Sequence, residues 1–155
     1  HYWYKYLSND KETLISFGDD CTLEDEKLLN NYDFKNINYG GTNIHGKDFK
    51  NNYHFSKVKE TSYQYGKLSP RKTKTLWVHE GSGVIFSKKI VYTLLHKFNL
   101  LSENSEELEK SISKFFEYVR ETCWYNDVLL GYLIKETCLI EPKKVKFYGI
   151  LGDRC

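Results

Sequence analysis

Methionine is absent from this 155-residue chain, and proline occurs only twice. The opening residues, His1-Tyr2-Trp3-Tyr4-Lys5-Tyr6-Leu7, read as the last turns of a helix already under way. Together with the missing methionine, they make the chain read as an excised piece whose start says nothing about a signal peptide or anchor. No apolar run approaches the length of a membrane span. No repeat or low-complexity tract occurs, which excludes solenoid and fibrous architectures. An excess charge of one sign is missing too: the formal net charge is +2. The overall balance therefore gives no electrostatic reason to expect nucleic acid as a partner, and the local basic stretch KLSPRKTK at 67–74 reads as a solvated loop. The four cysteines, Cys21, Cys123, Cys138 and Cys155, show no close Cys-x-x-Cys or Cys/His spacing, which argues against a structural zinc site. Their number suits either reduced thiols or two bridges.

What the chain does contain is apolar mass. Hydrophobic residues make up 40% and aromatic residues 16%, enough for one globular domain with a substantial core. After the turn formers Ser8 to Lys11, the segment 12–17 (ETLISF) predicts a buried strand ending at Gly18. Thr22 is then placed to cap a helix with Asp25 in its first turn and Leu28, Leu29 and Tyr32 on its apolar face. Residues 37–39 predict a second strand that stops at Gly40-Gly41. From 42 to 74 the chain is polar and without period, a long excursion of the kind that often carries function. Residues 75–78 predict a strand leading into the turn Gly81-Ser82-Gly83, and Ser87 is placed to cap a helix with Ile90, Val91, Leu94, Leu95 and Phe98 inward. Asn104 with Glu107 signals another helix start, followed by Leu108, Ile112, Phe115, Phe116 and Val119 at helical spacing. A further helix is predicted from about Asn126 to Glu136, and a weak strand over 144–147.

Three places can carry chemistry. Asp19 and Asp20 put adjacent carboxylates at the end of a strand, where a hard divalent cation would relieve their repulsion and hold a diphosphate. An acidic turn capping the next helix uses the same pair. The turn Gly81-Ser82-Gly83 lets the backbone approach a ligand closely, as a tight strand-to-helix connection also requires. His79 and Glu80 lie beside it. Asp127 stands at a helix start just after Trp124 and Tyr125, whose flat faces suit a sugar ring. A carboxylate there can act as a general base or simply cap the helix.

Taken together, these segments resemble the beta-1,3-glycosyltransferase superfamily that includes Fringe and the core-1 galactosyltransferases. The resemblance spans almost the whole chain. The family's strand ending in an Asp-rich metal motif looks like Phe17-Gly18-Asp19-Asp20-Cys21-Thr22-Leu23, followed by Leu28-Leu29. Its Tyr-x-Gly strand end looks like Tyr39-Gly40. Its aromatic, glycine-rich segment is similar to Trp77 through Gly83, and its acidic-Asp-Val segment is similar to Asn126-Asp127-Val128-Leu129-Leu130-Gly131-Tyr132.

The resemblance implies an α/β fold of the GT-A type, a mixed sheet flanked by helices. Residues 1–155 would be the carboxyl-terminal two thirds of one catalytic domain, with the amino-terminal strands missing. It implies a UDP-sugar donor, manganese or another divalent cation, and a glycan or glycoprotein acceptor. It also implies residence in the Golgi or another secretory lumen, with a membrane anchor before His1, and disulfides among the cysteines. Asp20 takes the metal role. Asp19, Gly81, Ser82 and Gly83 take the donor, Asp127 the catalytic base, and Trp124 and Tyr125 the acceptor. The chain departs from the pattern at Gly18, Glu80 and Asn126. At the position after Phe147, where the family places a metal-binding His, it has Tyr148, a poor ligand unless ionised. These departures suit a second reading, a non-catalytic relative that serves as a carbohydrate-binding or partner-interaction module.

Overall fold

The computed structural model describes residues 13–17, 34, 36–46, 75–79, 81, 83–122 and 126–146, and the backbone of 21–23 and 150–152. The elements are β1 (Thr13–Ser16), β2 (Cys21–Leu23), β3 (Tyr39–Gly41), β4 (Ile44–His45), β5 (Trp77–Val78), β6 (Val84–Ser87), α1 (Lys88–Lys97), α2 (Ser105–Thr122), α3 (Asn126–Cys138), β7 (Lys143–Lys144) and β8 (Ile150–Gly152). The expected α/β class is therefore met by a mixed sheet flanked by helices. Its strand order is β1-β6-β3-β7, antiparallel at the first two pairings and parallel between β3 and β7. Two antiparallel ribbons, β2 with β8 and β4 with β5, accompany it.

The sheet is organised around β6. Alternation along Val84-Ile85-Phe86 sends Val84 and Phe86 to the face where Tyr39, Val78, Ile90 and Ile134 are buried. Ile85 points the other way, to Ile37 and Val145. With both faces covered, the strand reads as a continuous apolar run, and no polar residue marks its start. Ser87 ends β6 and immediately caps α1, its hydroxyl accepting from Ile90 N–H at 3.4 Å and donating to Asn38 Oδ1 at 3.1 Å.

Capping accounts for the helix boundaries. At α2, Asn104 Oδ1 accepts the backbone N–H of Glu106 and Glu107, while Ser102 Oγ donates to Glu107 Oε2 at 2.8 Å. The acidic side chain thus reaches Ser102, two residues before the cap, in a variant of the capping box. α1 ends in a Schellman turn: Asn99 N–H donates to His96 O and Leu100 N–H to Leu95 O, with Asn99 at φ 53°. α3 ends in the simpler left-handed cap, Leu139 N–H donating to Lys135 O with Leu139 at φ 56°. Leucine is poorly suited there, since its Cβ crowds the carbonyl at positive φ, and the side chain is 88% exposed and packs on little. Replacing Leu139 with Gly is expected to stabilise the fold by about 1 kcal/mol, read as a higher urea midpoint at unchanged slope. A lower midpoint would contradict this account of the cap.

Several expectations need correction. Thr22 lies within β2, paired with Leu151, and does not cap a helix; the helix expected after it lies outside the described residues. β3 starts at Tyr39, two residues later than expected, and takes in both glycines before it ends at Gly41, where close neighbours leave no room for side chains. The long excursion contains β4, and its stretch 47–74 lies outside the described residues. The late strand forms at Lys143–Lys144, where the edge of β3 is available in parallel. On α2, Ile112 and Phe116 are exposed, Phe116 at 60%. The inward seam runs instead through Phe115, Tyr118 and Val119, which meet Phe98 and the Trp77 cluster. Cys138 is a free, half-buried thiol, and the side chains of Cys21, Cys123 and Cys155 lie outside the described residues. Among the described residues, no helix is long and apolar enough to cross a membrane.

Candidate functional site

The site forms where β5 runs out. Trp77 and Val78 are buried, and Val78 N–H donates to the hydroxyl of Tyr39 at 2.9 Å. One residue on, His79 N–H donates to Asn43 O at 2.8 Å and extends the ribbon with β4. The chain then passes Gly81 and Gly83 before β6. Gly83 sits at φ 89°, a conformation that L side chains rarely adopt. Across from it lies Gly41, where an added Cβ would collide with Gly83 O and Val78 Cγ1. Gly41 thus leaves room for the Val78 side chain and the Gly83 backbone to pack against it.

Helix α3 covers this region. Gly131 makes the approach possible: a Cβ there would lie 2.6 Å from Trp77 Cβ and 2.7 Å from Leu76 O. One helical turn earlier, Asp127 occupies the first turn of α3 at 8% exposure, with Oδ1 accepting Val128 N–H at 2.8 Å. A negative charge is favourable there because the helix N-terminus presents unpaired N–H groups. Burial holds the Tyr39 hydroxyl well above the usual phenol range. The Val78 N–H bond opposes this, while the charges of Asp127 and Glu141 push further upward. Tyr39 thus stays protonated at any physiological pH.

Of the residues given site roles in the sequence, Asp127, Gly81 and Gly83 are described; α3 rests on β5 at Leu76 and Trp77 through Gly131, and the glycine turn follows β5. Asp19, Asp20, Ser82, Trp124 and Tyr125 lie outside the described residues, as do Glu80 and Tyr148. The metal donors expected at Asp19 and Asp20 are thus not placed. Among the described residues, no group of three or more His, Cys, Asp or Glu side chains is positioned to hold a metal ion.

Two participants carried no signal in the sequence. Tyr39 supplies a buried hydroxyl between Val78 N–H and the charge of Asp127. His45, inside the polar excursion, brings its ring to 5.4 Å from that of His79, measured between centroids. A Tyr-x-Gly strand end made Tyr39 visible as a core residue only, and His45 becomes significant only through the β4–β5 register. Comparison with known proteins adds no relative: no family model, no curated protein and no solved structure matches this chain.

Proposed function

We propose that the chain is part of an inverting, metal-dependent glycosyltransferase domain of the GT-A type. It would move a sugar from a UDP donor to a hydroxyl of a glycan or glycoprotein in beta-1,3 linkage. The observation that carries the reading is Asp127, a buried carboxylate fixed at the start of the helix that rests on β5. With Oδ1 held by Val128 N–H, the carboxylate has a defined orientation from which to take a proton off an incoming hydroxyl. Gly83, held at φ 89°, keeps a side chain off the turn between β5 and β6, which suits close approach by a diphosphate. A bound divalent cation would neutralise that diphosphate as it leaves, and Asp20 with Asp19 would hold it. The same reading places the protein in a secretory lumen, anchored through a segment before His1.

The second reading, a non-catalytic relative that binds carbohydrate or a partner protein, is favoured by Tyr148 and Glu80, which replace residues the family pattern uses. Calorimetric titration of UDP into the full-length parent, with manganese and then with chelator, separates the two. The catalytic reading expects binding that requires the metal and is weakened by Asp20→Ala. Absence of UDP binding under both conditions would select the non-catalytic relative.

A further inference from the structure

The β4–β5 ribbon has a chemically distinct face. Its register sets His45 opposite Trp77 and, through the His79 N–H to Asn43 O bond, places His79 diagonally across from His45. Side chains alternate along a strand, so His45, Trp77 and His79 share one face, whereas Ile44 and Val78 turn to the core. Trp77 is fully buried and lies nearly parallel to His45, with ring centroids 6.4 Å apart and planes at 19°. Both histidines are half-buried; Nδ1 of His45 is shut off from solvent, which leaves Nε2 as its nitrogen for an ion. Their rings are 5.4 Å apart and tilted by 46°.

That separation has a chemical meaning. Two imidazoles bound to one tetrahedral zinc ion, with metal–nitrogen bonds of about 2.0–2.1 Å, have ring centroids about 5.2 Å apart. Rings packed face to face would lie closer and flatter. We propose that His45 and His79 form a two-imidazole site for a transition-metal cation of the zinc class, with water completing the coordination. Imidazole nitrogen suits zinc, copper and nickel, whereas the hard manganese ion of the glycosyltransferase reading prefers carboxylate oxygen. This site is therefore separate from Asp19 and Asp20 and does not depend on that reading. The backbone pairing of the two strands fixes both histidines before any ion arrives, which lowers the ordering cost of binding.

The test is calorimetric titration of zinc chloride into the full chain, the variants His45→Ala and His79→Ala, and the control His96→Ala. Each of the first two substitutions is expected to weaken zinc binding at least about tenfold, as loss of a direct ligand should exceed the effect of losing an outer-shell partner. His96→Ala, at an exposed position on α1, is expected to leave it unchanged. A second measurement does not depend on the variants folding. In the wild-type chain, zinc is expected to shift the imidazole NMR signals of His45 and His79 and to leave those of His1, His54 and His96 in place. No zinc binding by the wild type would overturn the proposal, as would binding that survives both His45→Ala and His79→Ala or shifts confined to the other histidines. A UDP titration that fails while zinc still binds at His45 and His79 would remove the glycosyltransferase reading and leave this one standing.

Discussion

Replacing Asp127 by Asn is expected to lower sugar transfer by a factor of about 10²–10⁴ while leaving the fold in place. The substitution keeps the oxygen that accepts Val128 N–H, so the geometry of the first turn of α3 survives. What disappears is the negative charge and with it the ability to take a proton. The structural cost is the loss of a charge at a helix N-terminus, about 0.3–1 kcal/mol. Far-ultraviolet circular dichroism and a denaturation midpoint close to wild type establish that the variant is folded. The loss should fall on the chemical step, with donor binding unchanged in the UDP titration. Turnover within a factor of about three of wild type would remove Asp127 from the role of base, since a positioned base contributes far more than that.

Gly131→Leu is expected to destabilise the fold by at least about 3 kcal/mol, a large part of the stability of a domain this size. At this position two effects oppose each other. A glycine inside a helix is worse than alanine by about 1 kcal/mol, so a side chain should help if there were room. There is none: the added Cβ meets Trp77 Cβ and the backbone oxygen of Leu76, and neither can swing away as the tip of a flexible side chain would. Relief requires α3 to lift off β5, exposing the Trp77, Val128, Leu129 and Leu133 cluster. Gly131→Ala should therefore still come out destabilised, by about 1–2 kcal/mol, the clash outweighing the gain in helix propensity. Urea denaturation of the two variants checks both values, and a leucine variant within about 1 kcal/mol of wild type would show that α3 does not rest on β5 through Gly131.

The helices were largely legible in the sequence because their signals are local. Ser87, Asn104 and the apolar spacings after them lie within a few residues of the bonds they make, and the three helices form where those signals place them. β1 was legible for the same reason. β6 was not: Val84, Ile85 and Phe86 are buried on both faces, so the alternation that marks a half-exposed strand is missing. β8 escaped because its pairing with β2 is visible only across most of the chain. The glycines of β3 looked like a stop, yet they are strand residues chosen for the closeness of Val78, Gly83 and Lys143, which no local pattern records. The site divides in the same way. Asp127 announced itself by standing at a helix start, whereas His45 depended on a strand register that brings it across from His79.

The pairing of β2 with β8 has a consequence for synthesis on the ribosome. Leu23 aligns with Ile150 and Cys21 with Gly152, so among the described residues the strand that directly follows Asp19 and Asp20 pairs with a segment made about 127 residues later. At about 5–20 residues per second the wait is roughly 6–25 s, long compared with the microseconds in which a hairpin closes. β1 meets β6 far sooner and can begin the sheet, whereas the open edge of β2 stays exposed to other nascent chains throughout. Deleting Ile150–Gly152 would make that interval permanent, so the expected phenotype of such a chain is aggregation through β2, with the helical core still able to form.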